Sequence, residues 1–137
     1  MPNTITLDSL LAGDEPHASF HDASLLRVAV DYEQSAWVGT FAIVVGDPAG
    51  RTAGERDATR LAEVSVTGLS LWALEAGAVP PAGLWLTADG PLVNAPTESG
   101  LASAQSVASS PVAWFLYFSN TNSFGYLAGA QASFRWL

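Results

Sequence analysis

Hydrophobic and polar positions alternate with period two over most of this chain from residue 23 onward. Leu26, Val28, Val30 and Tyr32 fall on one face of a strand, with Arg27, Ala29 and Asp31 on the other. After the turn chemistry of Glu33, Gln34 and Ser35, the alternation resumes. Trp37, Gly39, Phe41, Ile43 and Val45 share a face opposite Val38, Thr40, Ala42 and Val44, which predicts an antiparallel hairpin. Further strands are predicted over 61–74, 84–87, 112–119 and 126–136. In the last of these Tyr126, Ala128, Ala130, Ala132, Phe134 and Trp136 are in phase. Turns are predicted at Asp47-Pro48-Ala49-Gly50, at Val79-Pro80-Pro81-Ala82-Gly83, at Ala88-Asp89-Gly90-Pro91 and at Asn120-Thr121-Asn122-Ser123.

Helical pattern is scarce. Residues 4–12 predict a short helix with Gly13 just past its end. The charged stretch 51–60 has too few apolar positions for an amphipathic helix and reads as a loop. Residues 91–110, rich in Ala, Ser, Pro and Gly, read as a surface excursion with a helical turn near 101–107. About six strands joined mostly by short turns predict a mainly β chain. The expected architecture is one antiparallel domain over 1–137, either a sandwich or a strongly curved, barrel-like sheet.

Composition narrows the function classes. Of 137 residues 49% are hydrophobic and 13% charged, the reverse of a disordered chain. Thirteen acids against five arginines, with no lysine, give a net charge of −8, which argues against a nucleic-acid partner. Without cysteine there is no disulfide, thiolate metal site or cysteine nucleophile. The N-terminal residues carry no basic, apolar signal sequence. The densest apolar run, 112–118, is far shorter than the roughly 20 residues of a membrane helix. The expectation is a soluble, cytoplasmic protein with no membrane partner.

Charge is unevenly distributed: 14 of the 18 charged residues lie in 1–63, leaving Glu75, Asp89, Glu98 and Arg135 beyond. A charge-poor half either supplies strands buried on both faces or offers an apolar surface to a partner, including a second copy in a homodimer.

Candidate chemistry centres on His17-Ala18-Ser19-Phe20-His21-Asp22-Ala23. Histidines four apart would share a helix face and bind metal. Pro16 and the following strand argue against a helix, and an extended chain would hold them roughly 13 Å apart. No metal site is therefore expected. His21 and Asp22 read as a polar pair bracing the entry to the first strand, with an enzyme centred on them as the least favoured function. Asp31 and Glu33 read as solvated turn acids, and Arg51, Arg56 and Arg60 as a loop neutralised by Glu55, Asp57 and Glu63. No phosphate-binding glycine loop or nucleophile elbow occurs, so no catalytic, cofactor-binding or metal residue is assigned. Trp85, Trp114, Tyr117 and Tyr126 are candidates for an aromatic-lined pocket or interface.

Phe20-His21-Asp22-Ala23-Ser24-Leu25-Leu26, running into Val28-Ala29-Val30-Asp31-Tyr32, resembles the opening of a group of small, mostly uncharacterised bacterial proteins. Some of these resemble immunity proteins that neutralise polymorphic toxins. The resemblance covers about a dozen residues and implies a non-enzymatic protein-interaction domain, with His21 and Asp22 at a structurally important strand start. An acidic chain suits a basic toxin partner. A small-molecule-binding β module using the aromatic pocket is the alternative.

Overall fold

The computed structural model describes residues 5–11, 15–75, 77–95 and 107–137. Eight strands form one antiparallel sheet: β1 Ala23–Asp31, β2 Ala36–Val44, β3 Thr59–Thr67, β4 Leu71–Leu74, β5 Leu84–Pro91, β6 Val112–Phe118, β7 Ser123–Gly129 and β8 Gln131–Trp136. Their order is β4-β7-β6-β5-β1-β2-β3-β8. The mainly β class and the curved sheet are as the pattern predicts, but the strands number eight rather than six. The expected strands 61–74 and 126–136 each break in two, at residues 68–70 and at Ala130.

These two breaks coincide. Gly68 takes φ +61°, a left-handed conformation that costs a side-chain-bearing residue, and a Cβ there would lie 2.6 Å from the Ala130 Cβ. The Ala130 amide donates to the Thr67 carbonyl, and the Ser70 amide to that of Ala128. The ladders β3–β8 (ending Thr67↔Gln131) and β4–β7 (starting Leu71↔Ala128) are therefore arms of one bent ribbon. The bend wraps the sheet on itself. Trp37 of β2 and Trp72 of β4, at well-separated places in the sheet order, pack with ring centroids 5.2 Å apart.

Inside this curve lies the main core, including Phe20, Trp37, Phe41, Ile43, Val64, Val66, Leu86, Trp114, Leu116 and Phe118. A smaller cluster of Leu92, Ala113, Tyr126 and Ala128 lies apart from it. Strands β6 and β7 thus contribute to two clusters, and most of their residues are buried. That is one physical origin of the charge-poor second half.

Four local expectations need correction. Leu26 does not face the core: the β1–β2 register shifts between Leu25 and Arg27, so Ala23 and Leu25 are buried while Leu26 is 47% exposed. Strand β5 does not stop at Thr87 but continues to Pro91 through an irregularity between Leu86 and Ala88. The 51–60 loop contains one helical turn, α1 Ala53–Arg56, closed by a capping box in which Thr52 and Glu55 exchange hydrogen bonds. Of the helix expected over 4–12, the described part holds a single 3-10 turn, Asp8–Leu10. Gly13 lies outside the described residues, as does the turn expected near 101–107 except for Val107. No helix among the described residues is long and apolar enough to cross a membrane.

The corner makes a stability prediction. Gly68→Ala is expected to cost about 1–3 kcal/mol through its left-handed backbone and the clash with Ala130. Adding Ala130→Gly should return the steric part. Urea-unfolding midpoints of the single and double variants measure both effects, and an unchanged Gly68→Ala midpoint would refute the strained corner.

Candidate functional site

The polar segment at residues 19–22 is built by hydrogen bonds that fix its path into β1. Asp8 Oδ1 accepts from the Phe20 amide at 2.8 Å, and Asp8 Oδ2 from the Ser19 hydroxyl at 3.3 Å. The Ser19 hydroxyl oxygen accepts in turn from the His21 amide. Asp22 then adopts φ +69°, a conformation that aspartate tolerates better than most residues. This turns its amide onto the Leu86 carbonyl of β5, at 2.7 Å. Its carboxylate Oδ1 accepts from the indole Nε1–H of Trp85 at 3.1 Å.

Trp85 itself is 46% exposed because it is the outward residue between Leu84 and the buried Leu86, and the residue opposite it on β1 is the small Ser24. Its backbone is held by the 119–122 turn. The Trp85 amide donates to Asn120 Oδ1 at 2.9 Å, and its carbonyl accepts from the Ser119 amide. Asn120 Nδ2 donates to the Gly83 carbonyl at 3.0 Å. An open groove of about 480 Å³ results, whose lining includes Trp85, Asp22, Asp57, Asn120, Ala82 and Gly83. Asp57, just after α1, is a second acidic residue in its lining.

The structure therefore joins two residues that the sequence singles out for separate reasons, Asp22 and Trp85. It does not join the four aromatics. Trp114 is buried in the main core with its indole N–H donating to the Ile5 carbonyl. Tyr126 is buried in the smaller cluster, and Tyr117 packs on Phe124 with its hydroxyl donating to Asn122. Among the described residues, none of these three lines the groove at Trp85.

His21 Nε2 lies 3.7 Å from Asp22 Oδ2, with both side chains about half exposed or more. Asp22 docks on β5 through its amide and on Trp85 through its carboxylate, and His21 joins the segment's network through its amide on the Ser19 hydroxyl. His17 faces a different carboxylate, Asp47, at 3.8 Å. Among the described residues no three His, Asp or Glu side chains are arranged to hold a metal. Asp31 Oδ1 caps the Gln34 amide in the first turn, and Arg60 pairs with Glu15 at 2.9 Å.

Sequence reasoning did not find Asp57 and Asn120 as groove residues. They reach it from elements 35 or more positions away from Asp22, and neither stands in a motif. A search of protein-family profiles, of curated proteins and of solved structures finds no match to this chain.

One titrating group stands beside this segment. Burial pushes the half-buried Asp89 carboxyl of β5 above its ordinary value; Asp8 adds to the rise and His21 opposes it. The folded chain then holds this proton more tightly than the unfolded chain does. Stability falls as pH rises from the ordinary carboxylate range through the raised folded value. Asp89→Asn is expected to remove that fall and to raise the melting temperature at pH 7 more than at pH 4. Thermal melts across this range measure it, and equal shifts at both pH values would contradict the assignment.

Proposed function

We propose that this chain is a non-enzymatic protein-interaction domain that binds a basic protein through the Trp85 groove. The observation that carries this reading is a half-exposed tryptophan held by Asp22 and Asn120, in a groove that also holds Asp57, on a chain of net charge −8.

Tryptophan is among the residues that contribute most to binding energy at interfaces. Its indole face attracts a guanidinium or ammonium group, and neighbouring carboxylates strengthen that attraction. The indole edge is already hydrogen-bonded, so little side-chain freedom is lost on binding. The overall negative charge accelerates encounter with a cationic surface. The resemblance of the 20–26 segment to immunity-like proteins makes a basic toxin the partner class to test first. The small-molecule alternative loses its main support, because Trp114, Tyr117 and Tyr126 do not open onto Trp85.

Affinity capture with the tagged chain, from host lysate grown with and without toxin expression, tests the reading. A stoichiometric basic protein is expected, bound more weakly as salt increases. Trp85→Ala should weaken it about 30-fold, the ~2 kcal/mol of an interface hot spot. Capture of no partner, or of one indifferent to Trp85→Ala, would sink the proposal.

A further inference from the structure

Strand β1 is paired on both sides for only three residues. Ala23, Ser24 and Leu25 pair with β5, whereas the β2 ladder continues to Asp31. From Leu26 to Asp31 no described strand pairs with the other edge of β1. Among the described strands β4 pairs with β7 alone, leaving its other edge without a described partner strand.

The corner at Gly68 brings these two open edges face to face. A cavity of about 390 Å³ has Leu25–Val28 positions of β1 on one wall and Leu74 and Glu75 on the other, under the Pro80-Pro81 loop. A second, of about 210 Å³, has Val30 and Asp31 opposite Leu71 and Trp72. Gly83, at φ +92°, lies so close to β1 that a Cβ would meet the Leu25 carbonyl at 2.7 Å, which keeps the loop at the mouth of the first cavity. Leu26, Leu74 and Val79 are 47%, 43% and 95% exposed there.

Across the slot β4 runs opposite to β1, since Leu71 and Trp72 lie by Val30 and Asp31 while Leu74 and Glu75 lie by Leu25–Val28. An added strand antiparallel to β1 therefore runs parallel to β4, and the open β1 edge from Leu26 to Asp31 is where its antiparallel ladder forms. The far end of the sheet is treated differently: the 3-10 turn Asp8–Leu10 packs against β8, and Arg60 lies 4.7 Å over the Trp136 ring. Covering or charging an edge in this way is how sheets avoid unwanted pairing.

We infer that the slot between β1 and β4 receives an extended segment of a partner protein by strand addition, with apolar residues alternating with basic ones. Strand addition draws affinity from backbone hydrogen bonds and specificity from alternate side chains. The inward side chains would meet Val28, Val30 and Trp72, all partly buried against the main core. Charge selects the rest: Asp31 and Glu75 line the slot against Arg27 alone, on a chain of net charge −8. This inference rests on the reading of the chain as a protein-interaction domain, but at a surface separate from the Trp85 groove.

The probe is an end-capped eight-residue peptide alternating lysine and valine, mixed with the full chain and followed by amide exchange and NMR titration. Binding is expected to slow exchange of open-edge amides within 26–31 at least tenfold. The same peptide N-methylated at alternate residues, and a glutamate–valine version, should bind at least tenfold more weakly. Leu74→Lys and Leu26→Lys, both at exposed positions, should weaken the lysine–valine peptide at least tenfold, with folding checked by circular dichroism. Trp85→Ala should leave its affinity unchanged while weakening the captured partner, so failure of the slot and failure of the groove are separable. No binding by the lysine–valine peptide, equal binding by the N-methylated one, or binding lost in Trp85→Ala without protection of 26–31 would overturn the inference.

Discussion

The paired bend at Gly68 and Ala130 is the constraint on which the rest of the structure depends. An eight-stranded sheet left open and flat would expose one side of Trp37, Phe41, Val64 and Trp114 to water. By folding the β3–β8 and β4–β7 ladders as two arms of one ribbon, the corner returns β4 across the core to Trp37. Burying an aromatic or branched aliphatic side chain yields about 1.5–3 kcal/mol each, which outweighs the local cost of one left-handed residue when that residue is glycine. The same bend places the open edge of β4 opposite that of β1.

Much of the fold was legible because a half-buried strand writes its period directly into the chain. In β2 the alternation matches burial residue by residue, from Trp37 to Ile43. The misses share a cause. The bulge at Leu26 and the breaks at 68–70 and 130 depend on what the neighbouring strand does, which a one-dimensional pattern does not hold. Gly68 gives a glycine signal, but only its contact with Ala130 shows that it is a corner. The helical turn at Ala53–Arg56 is a different kind of miss, since Thr52-x-x-Glu55 is a capping signature readable in the sequence.

The candidate site was half legible for similar reasons. Asp22 stood out through its histidine neighbour and Trp85 through its residue type, yet the contact that matters joins them to each other. Asp22 serves three purposes at one position. Its positive φ turns the chain, its amide docks on β5, and its carboxylate holds the indole. Asp57 and Asn120 were not legible, because the distance between α1, the 119–122 turn and β5 is set only once the sheet has curved.

Charge and burial together separate scaffold from surface. The second half of the chain is poor in charge because β6 and β7 feed two apolar clusters, where an ion would have to be desolvated. The acids are left on the first half and on the loops, around the Trp85 groove and along the β1 edge. On the proposed reading, a partner's cation would meet carboxylates that are already fixed by a backbone amide or by an indole N–H, as Asp31 and Asp22 are. Such groups need little reordering on association, so the attraction is opposed less by lost side-chain entropy than it would be at a flexible acidic tail. On the proposed reading, acids held in this way at the rim of the sheet suit a basic protein surface better than acids on a flexible tail would.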